Sequence, residues 1–527
     1  MPFLLRNLTI SLEDGGDDLV GERLRARLAA GGLRPVSFSI VRKGVDARRK
    51  KQIKFVYTVL FRVDDEERHR QFILQDPDFE FLEERPETVF PQLAVKKRIV
   101  VAGMGPAGLF TALRLSAYGI TSLLIERGKP VEERIRDVNS FWGKGLLDPE
   151  SNVQFGEGGA GTFSDGKLTT RVRDVNMDYI LRELVRFGAP DDILFLAKPH
   201  IGTDRLRGVV ANMRRHLEEQ GVTIRFSTKL TDIISGGGRL SAVVLNDRED
   251  YPCDMLVLAP GHSARDTYRM LLERGIRIEP KPFAVGVRVE HPQELINLIQ
   301  YGMPSHPMLP PADYALAWND ARSGRSAYSF CMCPGGEVVA SSSEAGGVVT
   351  NGMSHYYRSA PRANSALVVT VGSRDFGDVS PLAGAAFQRS LEQSAFAAGG
   401  GGYHAPAQNL LTFLNGKGHG PIGSSYRPGV RESDLSLILP DFVTATMRDG
   451  IRQFERKMRG FISAEACLIG VETRTSAPVR IVRGDDLQSV SLAGFYPAGE
   501  GAGYAGGIMS AALDGVRIAD RIAGQFN

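Results

Sequence analysis

The stretch Ile99-Val-Val-Ala-Gly103-Met-Gly105-Pro-Ala-Gly108 constrains this chain most, because an acid, Glu126, stands at the right distance behind it. The apolar run Arg98–Ala102 predicts a buried strand, Pro106–Tyr118 a helix, and Thr121–Ile125 a second strand that ends at the acid. A G-x-G-x-x-G set between strand and helix in such a unit is a dinucleotide-binding fingerprint. Gly103 permits the tight turn, Gly105 admits a pyrophosphate to the backbone, and Gly108 lets helix and strand pack closely. The helix N-terminus, which opens at Pro106 and has its first free amide at Ala107, faces the phosphates. Glu126, with Arg127 beside it, is expected at the ribose, where its charge argues against a 2′-phosphate.

At 527 residues the chain exceeds one core and implies two to three domains. A hydrophobic content of 43%, a charged content of 24% and a net charge of +3 are those of an ordinary soluble enzyme. Nothing in the bulk charge calls for a nucleic-acid or membrane partner. No apolar run has the length of a membrane span, and Met1–Ile10 lacks a signal peptide's pattern. Four cysteines are too few for a disulfide framework, so a cytoplasmic, reduced protein is expected.

Three further segments bear on which dinucleotide is bound. Near the end, Leu492-Ala-Gly-Phe-Tyr-Pro-Ala-Gly499-Glu500 leads through Gly506-Gly507-Ile508 into a helix expected over Ile508–Ala523. Tyr251-Pro-Cys-Asp-Met-Leu-Val-Leu-Ala259-Pro260-Gly261 is a second strand-to-glycine passage, and Gly221–Ile233 contains Lys229 and Leu230 after a short strand. In this order the segments resemble the two-dinucleotide-fold FAD-dependent oxidoreductases. The resemblance implies FAD, and since no motif identifies a linking residue, non-covalent FAD is expected. The resemblance further implies Glu500 near the ribityl or pyrophosphate and the terminal helix N-terminus under the flavin O2. A positive helix end there stabilises the charge of a reduced flavin.

A closer resemblance rests on Gly156-Glu-Gly-Gly159-Ala-Gly161-Thr162-Phe-Ser164-Asp165-Gly-Lys167, on Phe330-Cys331-Met-Cys333-Pro-Gly-Gly, and on Gly470–Arg480. These are similar to the bacterial "FAD-dependent protein C" or FAD-dependent dehydrogenase group, and cover nearly the whole chain. The implied fold is α/β: a discontinuous Rossmann-like FAD-binding domain, an inserted α+β substrate or cap domain, and a small leading α/β domain of ferredoxin- or ACT-like type. The boundaries expected are 1–95, 96–280, 281–464 and 465–527.

In the leading unit, strands are expected over Leu4–Leu12, Arg34–Val41 and Ile53–Val63, helices over Leu19–Ala30 and Glu66–Gln75, and a linker over Pro77–Pro91. Its basic run includes Arg48, Arg49, Lys50 and Lys51, which allows an anionic partner. The 17 basic and 16 acidic residues of Met1–Lys96 favour a solvated or internally paired face. In the insert, strands are expected over Phe283–Glu290, Tyr314–Trp318, Ser326–Met332, Glu337–Ser342 and Leu367–Gly372, with Pro334–Gly336 as a hairpin turn. Helices are expected over Ala383–Ala397 and Phe442–Met458, and mobile glycine loops at 399–402 and 416–423.

For chemistry, Gly159, Gly161, Thr162, Ser164 and Lys167 are expected beside FAD, Lys167 as a donor near the flavin N1 or O2. Cys331 and Cys333 would share a face of a strand. Packing or pocket lining is favoured for them over a thiol near the flavin, and over metal, for which no second pair exists. Arg474 or Arg480, near Glu472, would bind a substrate carboxylate, orient the flavin, or form a structural ion pair. His200, His355, His404 and His419 are proton-donor candidates. No second complete G-x-G-x-x-G lies between residues 200 and 470, so any NAD(P)H would be a transient donor. The leading expectation is hydride exchange between flavin N5 and a small organic substrate. The alternatives are an RNA-modifying flavoprotein and a non-catalytic flavin-binding sensor.

Overall fold

In the computed structural model, residues 2–83, 89–416 and 422–526 are described. The leading unit is built on Lys54–Val63, whose alternate residues Phe55, Tyr57, Val59, Phe61 and Val63 are buried. That period of two makes it a central strand. It pairs antiparallel with Phe3–Ser11 on one side and Pro35–Asp46 on the other. The helix Val20–Leu28 buries Val20, Leu24 and Leu28, one stripe at a spacing of four. The expected linker is corrected here: Phe79–Phe81 is a fourth strand beside Phe3–Leu5. Three aromatic pairs hold it, Phe3–Phe61, Phe3–Phe81 and Phe61–Phe79, with ring centroids 5.7, 5.5 and 5.6 Å apart. Each such pair is worth about 1 kcal/mol beyond its buried area. In the basic run, Lys43 pairs with Asp17 at 2.7 Å and Arg48 with Asp46 at 2.6 Å.

The nucleotide motif sits in a five-stranded parallel sheet, ordered Phe495–Pro497, Met255–Leu258, Ile99–Ala102, Leu123–Ile125, Thr223–Arg225. The strands are apolar throughout because both faces are covered. Ile99 and Val101 pack with the helices Pro106–Ala117, Thr203–Glu219 and Ile508–Ala523. Val100 and Ala102 pack against the antiparallel Leu230–Gly236 and Arg239–Leu245 hairpin and the helix Arg265–Glu273. The terminal helix has the expected bounds and lies close along Pro106–Ala117: a Cβ on Gly515 would stand 2.2 Å from the Ala107 carbonyl oxygen. Arg114 and Asp520 lock the pair at 2.6 Å.

The insert is a seven-stranded sheet, ordered Ala317–Asp320, Arg325–Cys333, Arg362–Val371, Phe283–Pro292, Cys467–Glu472, Ala405–Asn409, Val430–Glu432. Its pairs are antiparallel except the last. The chain passes in and out of it through an antiparallel ribbon, Ile278–Pro280 against Val479–Ile481. Cys467–Glu472 thus belongs to the insert's sheet, and the boundary expected at 464/465 falls after Glu472. The Pro334–Gly336 turn also differs from expectation. Gly336–Ala340 pairs with Thr350–Ser354, not with Arg325–Cys333. Gly335, at φ +47°, folds so tightly on the Arg358 backbone that a Cβ would stand 1.6 Å from its carbonyl oxygen, which steers the chain away from a hairpin. The strand expected over Tyr314–Trp318 lies at Ala317–Asp320, and residues 417–421 of the second glycine loop fall outside the described residues. Among the described residues no helix is long and apolar enough to cross a membrane.

Candidate cofactor cleft

Five of the sequence segments open onto one cleft of about 410 Å³ at the carboxyl ends of the parallel strands. Gly103, Gly105, Pro106, Ala107, Glu126, Arg127, Gly159, Gly161, Ser164, Lys229, Leu230, Ala259, Gly261, Glu500, Gly506, Gly507 and Ile508 all line it. Two helix N-termini therefore face the same space, at Gly105–Ala107 and at Gly507–Ile508. Three expected contacts stand behind the wall instead. A Cβ on Gly108 would lie 1.9 Å from the Gly103 carbonyl oxygen, so this glycine serves packing. Thr162 is fully buried, its hydroxyl donating to the Glu157 carbonyl at 3.2 Å. The Gly499 amide donates to Asp514 at 2.7 Å, with Ala107 pressed against its α-carbon.

Glu126, which lines the cleft, also braces it. One carboxylate oxygen accepts from the Met104 amide at 2.8 Å, and the other from the Gly128 and Gly156 amides at 2.9 Å each. The acid so ties the first glycine turn to the Gly156–Gly161 loop. Arg127 lies over Phe155 and reaches Glu150 at 2.6 Å and Asp266 at 2.9 Å, carboxylates that Lys229 shares. The loop itself hangs on Arg134, a fully buried residue absent from the sequence reading. Its guanidinium donates to the carbonyls of Asn152 (2.8 Å), Glu157 (2.6 Å), Val153 (3.0 Å) and Gly159 (2.9 Å).

From the loop and the inserted sheet come Lys167, Phe330, Cys331, Asn351, Glu472 and Arg474. Lys167 donates to the Met332 carbonyl and stands 3.5 Å from Asp165, which Arg358 also holds at 2.6 Å. Arg288, wholly buried, pairs with Glu472 at 3.2 Å. Arg474 reaches the cleft wall, yet its fork is committed: Nε and Nη2 bond Glu392 at 3.0 and 2.9 Å, and Nη1 bonds Ser343 at 2.6 Å. Arg265 bonds the same Glu392 at 2.7 Å. Burial alone would raise Glu392, but Arg474 and Arg265 outweigh it and hold the carboxyl well below its usual range. Arg474→Ala should cost about 2–3 kcal/mol in urea denaturation, because half of a buried ion network is removed, while FAD binding at saturating cofactor persists. Arg480 is exposed, beside Tyr504.

His200 Nε2 donates to the Tyr356 carbonyl, 2.8 Å away, outside the cleft lining; His355 and His404 are exposed, and His419 lies outside the described residues. The histidine in the cleft is His262. Its only sequence signal was its place directly after Gly261. Burial, then Arg474 and Arg265, push it down to about 3, so it is a neutral imidazole.

Residues 282–475 match the model of the family described as FAD-dependent protein, C-terminal domain-like. The whole chain is 43% identical to a Clostridium beijerinckii protein described as uncharacterized, over 532 residues that cover 100% of this chain and 99% of that one. The chain belongs to this FAD-dependent protein family. Solved structures with a distant likeness include CtdE in complex with FAD (10% identity, 81% of this chain and 84% of that one, TM-score 0.32). Others are the flavin-dependent brominase Bmp2 (13%, 82% and 79%, 0.36) and the tetracycline destructase Tet(51) (11%, 82% and 83%, 0.33).

FAD is the flavoprotein's cofactor, and its cleft suits it. Gly103, at φ +103°, has the Ala259 carbonyl oxygen 2.1 Å from where a Cβ would stand, so backbone alone forms the phosphate-facing turn. Free amides at two helix starts match a diphosphate and an electron-rich ring oxygen. In this flavoprotein burial pushes Glu500 up to about 7, against the pull of Lys281. A carboxyl raised in the folded state stabilises below its ordinary value, near 4.3, and that contribution is lost as pH climbs through 7. Melting of the FAD-free protein between pH 5 and 8 should therefore show a fall that is smaller in Glu500→Gln.

Proposed function

We propose that this flavoprotein is an FAD-dependent oxidoreductase that exchanges hydride between FAD and a small organic substrate held against the inserted sheet. The reading includes a discontinuous Rossmann-like FAD domain, an inserted substrate domain, and a leading unit with the strand–helix–strand–strand–helix–strand order of ferredoxin-like folds. The observation that carries it is one shared wall: Cys331 and Glu472 from the inserted sheet, with Lys167 from the glycine loop, face the space reached by the Gly507–Ile508 helix start.

FAD supplies hydride acceptance and donation at N5. The chain's own residues do the rest. Lys167, held by Asp165, puts a cation beside the cleft, and the terminal helix start adds a dipole; both favour negative charge on what they face. Burial pushes Glu472 up to about 7 against the pull of Arg288, which poises the carboxyl to hold or release a proton near neutrality. Phe330 adds an apolar ring to the cleft lining.

The test is an absorbance spectrum of the purified protein followed by anaerobic NADPH, then NADH, then a panel of reduced metabolites. Bleaching of the flavin by a nicotinamide identifies a reductase fed by a transient donor. Bleaching by a metabolite alone identifies a dehydrogenase. A flavin that stays oxidised with every reductant of physiological potential overturns the reading in favour of a sensor.

A further inference from the structure

We propose that Cys331 and Cys333 form a redox-active dithiol that exchanges two electrons with FAD through the cleft wall, with Cys331 as the sulfur on the cofactor side. The proposal rests on the FAD reading of the cleft and not on the identity of the organic substrate.

The backbone is the first support. Cys331 lies at φ +45°, a conformation that a side chain with a Cβ rarely adopts. The ladder to Arg362–Val371 slips between Phe330 and Cys333, so the strand leaves its register at this pair. Two cations hold it there. Arg288 donates to the Cys331 carbonyl at 2.6 Å, and Lys167 donates to the carbonyl of Met332 between the two cysteines. Strain kept by buried charges is found where a side chain has a task. Here the result is that Cys331 lines the cleft while Cys333 is buried behind it.

The chemistry of the setting is the second support. The Cys333 Sγ donates to the Cys331 carbonyl at 3.4 Å, which keeps its thiol next to Cys331. That neighbouring thiol, with the positive charge of Lys167 and Arg288, outweighs burial and holds the Cys331 thiol well below its usual range. Cys333 moves the opposite way, because it is the donor to Cys331 and is buried. One thiolate beside one thiol is the reactive form of a dithiol. The other two cysteines show the contrast: burial pushes Cys253 and Cys467 up to about 12, as inert core thiols. The carboxyls near Cys331 fit as well, since Glu500 and Glu472 are both raised and burial is the leading cause.

The exchange balances. The Cys331 thiolate and Cys333 thiol lose two electrons and one proton as a sulfur–sulfur bond forms and the S–H bond of Cys333 breaks. Oxidised FAD gains those two electrons and one proton to become the anionic reduced form. The reverse reaction returns the dithiol.

The holoprotein tests this by anaerobic reductive titration with dithionite after air oxidation. Two electrons per FAD reduce the flavin alone; four reduce flavin and disulfide. Four are expected for the wild type and two for Cys333→Ser and Cys331→Ser, both with flavin retained. A second measurement needs no variant. Trypsin releases both cysteines on one peptide, Ser326–Arg358. After denaturing alkylation, the air-oxidised protein should yield it unalkylated and lighter by two hydrogens, and the dithionite-reduced protein should yield it doubly alkylated. Two electrons per FAD in the wild type, with a doubly alkylated peptide before reduction, would overturn the proposal. That outcome leaves hydride exchange with an organic substrate standing, since the hydride readout is bleaching by nicotinamide or metabolite.

Discussion

Gly108→Ala is expected to emerge from purification colourless or nearly so, with at least tenfold weaker FAD retention than the wild type. The substitution is instructive because local propensity argues the other way: alanine in a helix interior is favoured over glycine by about 1 kcal/mol. Position 108 is in the first turn of Pro106–Ala117, where the helix crosses the end of Ile99–Ala102. A methyl there meets the Gly103 carbonyl oxygen at 1.9 Å and the Val101 side chain at 3.5 Å. Neither neighbour has room to give. Gly103 is itself pressed on the Ala259 carbonyl, and the helix is held from behind by Ile508–Ala523. Relief therefore requires the helix to lift, which withdraws the amides of Gly105 and Ala107 from the cleft. Overpacking of this kind costs about 1–3 kcal/mol in stability. The ratio of visible to ultraviolet absorbance reports FAD content, and urea denaturation reports the rest; a yellow Gly108→Ala of wild-type stability would refute the account.

Arg134→Leu should be more damaging still, with a loss of about 3–5 kcal/mol and no retained FAD. Leucine matches the apolar stem but leaves the Asn152 and Val153 carbonyls without a donor and takes one donor from those of Glu157 and Gly159, which keep only Thr162. Each buried acceptor left bare costs about 1–3 kcal/mol. The loop they belong to forms one lip of the cleft, and Gly156 lies directly against the arginine: a Cβ there would stand 2.4 Å from the Arg134 Cδ. Arg134→Lys separates charge from geometry, because an ammonium keeps the charge but lacks the planar fork. Its FAD content should resemble that of Arg134→Leu. Full flavin loading in the lysine variant would show that charge, not the fork, organises the loop.

The nucleotide-binding half was legible because its signals are local. A strand, three glycines, a helix and an acid occur within thirty residues, and the terminal helix announces itself through an apolar stripe behind a glycine pair. What escaped was contact between distant segments. Arg134 and Arg288 occur in a helix and a strand with nothing nearby in sequence to mark them as buried; their partners lie some twenty to a hundred and eighty residues away. Arg474 was noticed for its charge, but Glu392, which occupies it, comes from a helix eighty-two residues earlier. Phe79–Phe81 was read as linker because three residues between acids and prolines carry almost no periodicity. The cysteine pair was seen, whereas the left-handed backbone and two cations that set it apart follow from tertiary packing.

The ribbon of Ile278–Pro280 and Val479–Ile481 has a consequence for how such proteins diversify. Because the chain departs and returns side by side, roughly two hundred intervening residues are attached like a cassette on a single paired stem. Exchange of that cassette for another whose ends are equally close would keep the chain path of the parallel sheet, provided the replacement supplies partners for Asp165, Lys167 and Arg265. These now bond Arg358, the Met332 carbonyl and Glu392. The parallel sheet with its glycine turns can then stay constant while the stemmed segment is replaced whole, and chimaeras cut at this stem are the natural route to varying one half of the molecule on a fixed flavin fold.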